Sequence, residues 1–416
     1  MGWNSYNCYG GSVTEAEVRA NAAYLAKHLA RSGWDTVVID IAWYTDQNID
    51  DFGDAEIDPY GRLLPHHRRF PSAQGGVGFK PLADEVHALG LRFGVHFMPG
   101  LPRQVVARRC PVLGTSQNTG DIIFEHRGNN MLVEQIPFVD VSRPGGQAYY
   151  DSIFRLYAEW GVDFVKLDGV GYPYQDDQVA ALDLARTRCG RPIILSVSSG
   201  WKGDTSYGRH RKSHCEMWRV SDDVWDRWPQ IEAMFDNARA WQDYLEPGCW
   251  PDLDMLPLGR IGIRQHPLNS PDRACLLTPD EQRTLMTLWC IARAPLFFGG
   301  DLPSIDAFTL SLLTNDEVLA VNQKGRRARE AYRDCYHRDI VWTADLLRGT
   351  GKAVALFNME GEKTRLMQVP LEEIQLPHAC LVRDLWARQD LNPVSERLAI
   401  EVPPHGTRLL RLTPAH

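Results

Sequence analysis

Trp160-Gly161-Val162-Asp163-Phe164-Val165-Lys166-Leu167-Asp168-Gly169 is the stretch from which the fold can be read. The run 162–167 is short, carries apolar Phe164, Val165 and Leu167, and lies between two glycines. It predicts a buried parallel strand following a helix that ends near Trp160. Residues two apart on a strand point to the same side, so Lys166 and Asp168 share one space at its C-terminal end. A structural ion pair closing the strand and a working cation with its carboxylate are both open at this point.

The same pattern recurs on either side. Residues 2–6 read as a short strand with Trp3 near its tip. Thr14 with Glu17 makes a capping box for a helix carrying Val18, Ala22, Leu25 and Leu29 at helical spacing, and Gly33 ends it. Residues 37–43 form a second apolar strand ending in Asp40 and Trp43. A long loop rich in Gly, Pro, Asp and His follows over 44–78, a length that usually marks function. Helix 81–89 leads to strand 91–97 with His96 near its end, and helix 148–160 leads into the opening strand. Further on come helix 175–188, strand 191–198 ending in Ser198, strand 214–220 with Arg219 and then Asp222-Asp223, helix 228–245, the segment 247–255 with Asp254, and helix 278–293 capped by Thr278 and Glu281. Strands and helices alternate about eight times over some 320 residues, the signature of a (β/α)8 TIM barrel with its functional residues at the C-terminal strand ends.

After Gly325 the texture changes to short strands separated by turn residues, at 341–342, 353–357, 366–369, 380–382, 398–402 and 407–412. This tail reads as a C-terminal antiparallel β-sandwich. The expected domains are a barrel over 1–323 and a sandwich over 324–416.

Composition narrows the partners. The chain has 416 residues, 44% hydrophobic and 24% charged, with a formal net charge of −8. That balance speaks against nucleic acid or an anionic membrane as partner, and no apolar run approaches the roughly 20 residues that span a bilayer. Met1 is followed at once by Gly2-Trp3-Asn4-Ser5-Tyr6, with no signal peptide, so the expectation is a cytoplasmic protein, or a secreted one if the true N-terminus lies upstream. Nine scattered cysteines show no CxxC pair, which favours reduced thiols, and no Cys/His cluster has metal-ligand spacing. His66-His67, adjacent in a polar loop, is expected to face solvent. No metal or cofactor is expected, and a homo-oligomer is left open.

Two carboxylates flanking an anomeric carbon, about 5 Å apart, cleave glycosidic bonds with retention. Asp168 and Asp223, on the fourth and sixth strands, are the candidates. Lys166 would keep Asp168 ionised as a nucleophile requires, while Asp223 would keep its proton. Tryptophans at strand tips (Trp3, Trp43, Trp201, Trp218 and Trp250) would offer apolar faces to a sugar. A phosphate barrel would want a Gly-rich loop after the last strands, and Gly299-Gly300 is followed by the repelling Asp301.

Six motifs then appear in order: Gly2-Trp3-Asn4-Ser5-Tyr6, Ile39-Asp40-Ile41-Ala42-Trp43, residues 160–169, Trp218-Arg219 with Asp223, Trp250-Pro251-Asp252-Leu253-Asp254-Met255-Leu256, and Ala294-Pro295-Leu296-Phe297-Phe298-Gly299-Gly300-Asp301-Leu302. Together they resemble glycoside hydrolase family 27, the α-galactosidase or melibiase family. The resemblance implies a retaining exo-acting hydrolase without metal or cofactor, with Asp168 as nucleophile, Asp223 as acid/base beside its neighbour Asp222, and a carbohydrate substrate. Lys166, Arg219, Trp3, Asp40 and Asp254 match positions that contact the sugar in the family, and Trp43, His96, Ser198 and Trp201 join them as substrate-binding candidates.

The departures bear on the sugar. The family's pair of acids gripping the axial 4-hydroxyl and the 6-hydroxyl of galactose is Asp40-Ile41 here, and the cysteine that normally follows is Ala42. Val170 replaces a second cysteine, so the family's active-site disulfide cannot form. His96 stands where many members have tyrosine, and Ser198-Ser199-Gly200-Trp201 lacks the residues that read the 2-substituent. Terminal α-D-galactosyl residues are the first expectation; the same family also holds enzymes acting on β-L-arabinopyranosides and α-1,6-glucans. A non-catalytic carbohydrate-binding barrel and an aldolase using Lys166 as a Schiff base are weaker readings. Both carboxylates are present, and an acid beside Lys166 opposes the depressed pKa a Schiff base needs.

Overall fold

A Cβ on Gly2 would sit 2.6 Å from the Phe297 ring and 2.7 Å from the Thr36 carbonyl oxygen. Only glycine fits where the first strand is wedged between its two neighbours. The computed structural model describes residues 1–46, 55–124, 136–171, 173–198, 204–264, 271–346 and 351–415. It is a (β/α)8 barrel followed by an antiparallel β-sandwich. Two compact units make up the chain. One is Met1–Asp222 with Gly259–Ala274 and Phe297–Ile305, and the other is Asp223–Leu258 with Cys275–Leu296 and Asp306–His416.

The barrel strands are β1 (Gly2–Asn4), β2 (Thr36–Ile39), β3 (Arg92–Phe97), β4 (Phe164–Leu167), β5 (Ile194–Val197), β6 (Met217–Arg219) and β7 (Trp250–Asp252). After the small hairpin β8 (Arg260–Ile261) and β9 (Arg273–Ala274) comes β10 (Phe297–Phe298). The hairpin and β7 aside, these strands lie in the first unit and pair in parallel in the order β10-β1-β2-β3-β4-β5-β6.

Local chemistry explains most of the elements. The first long helix, Glu15–Tyr24, starts on the reciprocal Thr14/Glu17 capping box, and Gly33 at φ 94° closes the turns that follow. Such a cap contributes about 0.5–2 kcal/mol. Strand β2 stops at Ile39, short of the expected Trp43. Asp40 takes the Ile41 N–H on its own side chain at 2.9 Å, and Ala42 at φ 61° turns the chain out of the extended region. Arg69, 5% exposed, fastens that turn by donating to the carbonyls of Ala42 (2.6 Å) and Thr45 (3.0 Å) as well as Val13. Hydrogen bonds from a charged donor are worth roughly 1.5–3 kcal/mol each, so the turn is rigidly held.

In the second unit, helices Trp228–Trp241 and Pro279–Ile291 accompany the sandwich, the latter on the expected Thr278/Glu281 capping box. Ala307–Leu313 and Asp316–Lys324 follow. The sandwich strands are β11 (Arg326–Arg333), β12 (Asp339–Asp345), β13 (Lys352–Asn358), β14 (Arg365–Pro370), β15 (Ala379–Asp384), β16 (Gln389–Ser395), β17 (Arg397–Val402) and β18 (Thr407–Pro414). One sheet runs β11-β12-β13-β18-β15-β16, and β14 pairs with β17. Val341, Val354, Leu356, Met367, Val369, Leu398 and Leu410 are among the buried residues between them. Ties to the helices are specific: Phe357 meets Phe235 edge-on at 4.8 Å, Trp386 Nε1 donates to Thr287 Oγ1 at 2.9 Å, and His405 stacks on Trp228 at 3.9 Å while bonding Glu281 at 2.8 Å. Among the described residues no helix is long and apolar enough to cross a membrane.

Candidate active site

The tips of β2, β3 and β4 bring Asp40, His96, Lys166 and Asp168 together, as their positions in the sequence lead one to expect. In register, His96 lies beside Lys166 and Lys166 beside Ser196. Asp40 is 2% exposed and accepts three hydrogen bonds on its carboxylate, which leaves acceptor capacity for one more. Its Oδ2 accepts from Asn4 Nδ2 and from Lys166 Nζ, both at 2.7 Å, and its Oδ1 from the Ile41 N–H. Its own N–H donates to Ser5 Oγ at 2.9 Å. Burial by itself would raise this carboxyl's pKa. The charges of Lys166 and His96, with the Lys166 and Ile41 hydrogen bonds, outweigh that and hold it below the usual carboxylate range.

Lys166 was expected to keep Asp168 ionised, and its charge does lower that carboxyl's pKa; a direct ion pair between the two had been left open. The ion pair of Lys166 goes to Asp40 instead, and the hydrogen-bond partner of Asp168 is His96, whose Nε2 lies 3.4 Å from Asp168 Oδ2. An ionised carboxylate only accepts, so Nε2 carries the proton. The Gly169 N–H adds a 2.7 Å bond to Oδ1. Asp168 keeps about a third of its side chain exposed. Burial pushes its pKa up, but the His96 hydrogen bond and the charges of His96, Arg219 and Lys166 prevail and hold it far below the carboxylate range. It is therefore an anion at neutral pH, with an accessible face.

Two buried polar atoms here lack partners among the described residues, His96 Nδ1 and Ser198 Oγ. Buried polar groups are ordinarily satisfied, so both are left for a ligand or water to satisfy. Arg219 ends β6 and donates through Nε to the Ser221 carbonyl at 2.9 Å.

The tryptophans require correction. Trp3 and Trp43 are fully buried, so neither offers an open face to a sugar. Trp3 Nε1 donates to the Gly300 carbonyl at 2.8 Å. Trp43 Nε1 donates to the His96 carbonyl at 2.8 Å, and its ring meets Tyr44, Phe79 and Trp160 edge-on. Their large apolar area is spent on the interior, and their indole N–H groups tie to the carbonyls of Gly300 and His96. Trp218 is likewise buried, and the Arg293 guanidinium lies over Trp250 at 4.8 Å. Trp201 lies outside the described residues. His66 was expected to face solvent and is instead 6% exposed.

The second unit holds Asp223 and Asp254. Asp223 is exposed, and the peptide after it is fixed by the Val224 N–H donating to Asp254 Oδ2 at 2.7 Å. Gln230 clamps the same turn, donating to the Asp223 carbonyl at 3.3 Å and accepting from the Trp225 N–H at 2.9 Å. Asp254, 3% exposed, adopts φ 82°, a left-handed conformation costly for a residue with a Cβ. It is kept there by its N–H donating to Asp252 Oδ1 at 2.9 Å and its carbonyl accepting from Trp289 Nε1 at 2.8 Å. Asn4, Arg69, Gln230 and Trp289 were not singled out in the sequence. Asn4 lies inside a quoted motif and was within reach; the others carry no local signal.

Comparison with known proteins gives the family. The family model described as "Alpha galactosidase A" matches residues 139–324, and "Alpha galactosidase C-terminal beta sandwich domain" matches 339–412. A solved family 27 β-L-arabinopyranosidase from Geobacillus stearothermophilus, in complex with arabinose, is 46% identical at a TM-score of 0.96, covering all of this chain and 97% of its own. The chain belongs to glycoside hydrolase family 27. Among more distant relatives, an α-galactosidase from Cyamopsis tetragonoloba is 27% identical over 426 residues, spanning all of this chain and 86% of that protein. One from Coffea arabica is 28% identical over 419 residues, spanning all of this chain and 93% of that protein. As a family 27 member this chain is a glycosidase acting on carbohydrate.

Proposed function

We propose that the chain is a retaining exo-glycosidase whose preferred glycone is a terminal β-L-arabinopyranosyl residue. The observation carrying this reading is Ile41. β-L-Arabinopyranose has the ring configuration of α-D-galactopyranose but a hydrogen in place of the C5 hydroxymethyl group. Asp40 keeps its carboxylate for a ring hydroxyl, while Ile41, 8% exposed, replaces the acid expected to grip the 6-hydroxyl. An apolar residue there leaves that hydroxyl without its partner, a loss that specificity can use. The close likeness to a β-L-arabinopyranosidase supports the same reading.

In the proposed reaction Asp168 forms a bond to the anomeric carbon as the bond from that carbon to the glycosidic oxygen breaks, and Asp223 gives the departing aglycone oxygen its proton. Asp223 then takes a proton from water, which displaces Asp168 with net retention. His96 keeps the nucleophile ionised, and Lys166 and Asn4 orient Asp40 toward the glycone. Asp254 acts by setting the Asp223–Val224 peptide. Residues 1–323 are assigned to the catalytic barrel and 324–416 to the sandwich.

A second reading, hydrolysis of α-D-galactosides, is favoured by the curated relatives named α-galactosidase. A screen of p-nitrophenyl β-L-arabinopyranoside, α-galactoside, α-N-acetylgalactosaminide and α-glucoside, with dextran alongside, separates the two. The arabinopyranoside is expected to show the highest kcat/KM; a higher value for the galactoside overturns the preference.

A further inference from the structure

The loop after β2 carries a cluster for which the glycosidase chemistry has no use. Glu56, His66 and His67 each offer one ligand atom, and these atoms lie within 4.8 Å of one another. The backbone assembles them in advance. The Glu56 N–H donates to the Tyr44 carbonyl at 2.9 Å, the His66 N–H to the Trp43 carbonyl at 3.0 Å, and the Leu64 N–H to the Glu56 carbonyl at 2.8 Å. An antiparallel bridge between Ile57 and Leu63 closes the hairpin in between.

A plain polar staple accounts for His67, which contacts Glu56 Oε1 through Nδ1 and through its backbone N–H at 3.1 Å. It does not account for His66. That imidazole is 6% exposed, yet neither ring nitrogen reaches hydrogen-bond distance of a described partner. Nε2 stops 3.7 Å from Glu56 Oε1, and the buried Nδ1 stops 3.8 Å from Asp46 Oδ1. A buried ring nitrogen left without a partner, as Nδ1 is, is expensive. The Nε2–Glu56 separation is too long for a hydrogen bond and close to that of two ligands on one ion, while His67 Nδ1, now in direct contact with Glu56 Oε1, would draw back to admit the ion. With metal bonds of about 2.0–2.2 Å, tetrahedral donors sit roughly 3.4 Å apart.

We propose that Glu56, His66 and His67 form a zinc site, with His66 Nε2, His67 Nδ1 and a Glu56 carboxylate oxygen as ligands. Two imidazoles and a carboxylate suit Zn2+ better than Ca2+ or Mg2+, which seek oxygen ligands. A metal-bound histidine ordinarily has a carboxylate near its distal ring nitrogen, and Asp46 Oδ1 lies 3.8 Å from His66 Nδ1. His67 is half-exposed, so the remaining position is open to water. The ion would tie the loop to Trp43 and Tyr44, the turn immediately beyond Ile41.

The test uses the full chain, stripped with EDTA, incubated with ZnCl2, freed of unbound ion and assayed for metal content, with CaCl2 in parallel. One equivalent of zinc per chain is expected, no calcium, and a rise in Tm of roughly 3 °C at zinc 100-fold above Kd. H67N is expected to weaken binding at least 100-fold and abolish the Tm response, and E56Q to weaken it at least 10-fold. Because replacing buried His66 also disturbs packing, half-exposed His67 carries the decision. Less than 0.1 equivalent in the unsubstituted protein, calcium bound as well as zinc, or zinc retained unchanged by H67N overturns the proposal. None of these readouts depends on which glycoside is hydrolysed.

Discussion

Replacing Ile41 by aspartate is expected to move specificity from arabinopyranoside toward galactoside, by an amount that can be worked out. A hydrogen bond from the 6-hydroxyl to a carboxylate contributes about 1.5–3 kcal/mol, a factor of roughly 10–150 in the galactoside-to-arabinopyranoside ratio of kcat/KM. The arabinopyranoside lacks that hydroxyl and gains nothing. The substitution also has a structural cost, since Ile41 is 8% exposed and forfeits about 1.5–3 kcal/mol of burial. It sets a second carboxylate beside Asp40, whose charge Lys166 already neutralises at 2.7 Å. A lower Tm should therefore accompany the specificity change. Ile41→Asn, offering a neutral partner, is expected to give a smaller shift, since such bonds contribute about 0.5–1.5 kcal/mol. The assay is kcat/KM on the two p-nitrophenyl glycosides, with circular dichroism as the folding control. If folded Ile41→Asp changes the ratio less than about threefold, the assignment of position 41 to the C5 substituent is wrong.

Asp168→Asn is expected to lower kcat by about 10⁴ or more with the far-UV spectrum unchanged; hydrolysis at the native rate would refute its role as nucleophile. Asp223→Ala should retain turnover of aryl glycosides with good leaving groups, and azide should restore it; equal loss on all leaving groups without rescue would count against an acid/base. His96→Phe removes the hydrogen bond and the largest of the charges that keep the Asp168 pKa down, leaving only Arg219 and Lys166 to oppose burial, so the acidic limb of kcat/KM should move to higher pH; an unmoved limb would separate His96 from the nucleophile. The stability term has a matching sign. Asp40 and Asp168 are both held below the unfolded value near 3.9, so their contribution is complete above that pH and is lost as pH falls through the folded values. Asp254→Asn keeps a residue that tolerates φ 82° but weakens a charge-assisted bond by about 1 kcal/mol, so kcat should drop about fivefold with KM nearly constant. A change in KM alone would instead make Asp254 a sugar contact.

Much of this protein is legible in its sequence because the relevant signals are local. Alternating apolar strands and helices, the Thr14/Glu17 and Thr278/Glu281 capping boxes, and charges at strand tips all depend on neighbours a few residues away. Strands β11 and β16 were invisible for the opposite reason. They are the two edges of the six-stranded sheet, so their residues are mostly exposed and carry no apolar alternation; Arg326-Arg327-Ala328-Arg329 reads as a polar linker.

Tertiary structure decided which side chain meets which. Lys166 lies in β4 and Asp168 just beyond its end, and their spacing in the sequence left an ion pair between them open. Across 126 residues of chain, however, Asp40 takes the lysine, and His96 takes Asp168. Tryptophans at strand tips look like sugar platforms until burial is known, and Trp3 and Trp43 prove to be interior props. Residue type and local period settled the elements and the order of the chemistry along the chain. Pairing and burial were settled only by packing, because an ion pair forms where charges come closest in space, and that distance is set by strand register and the turn that Arg69 holds.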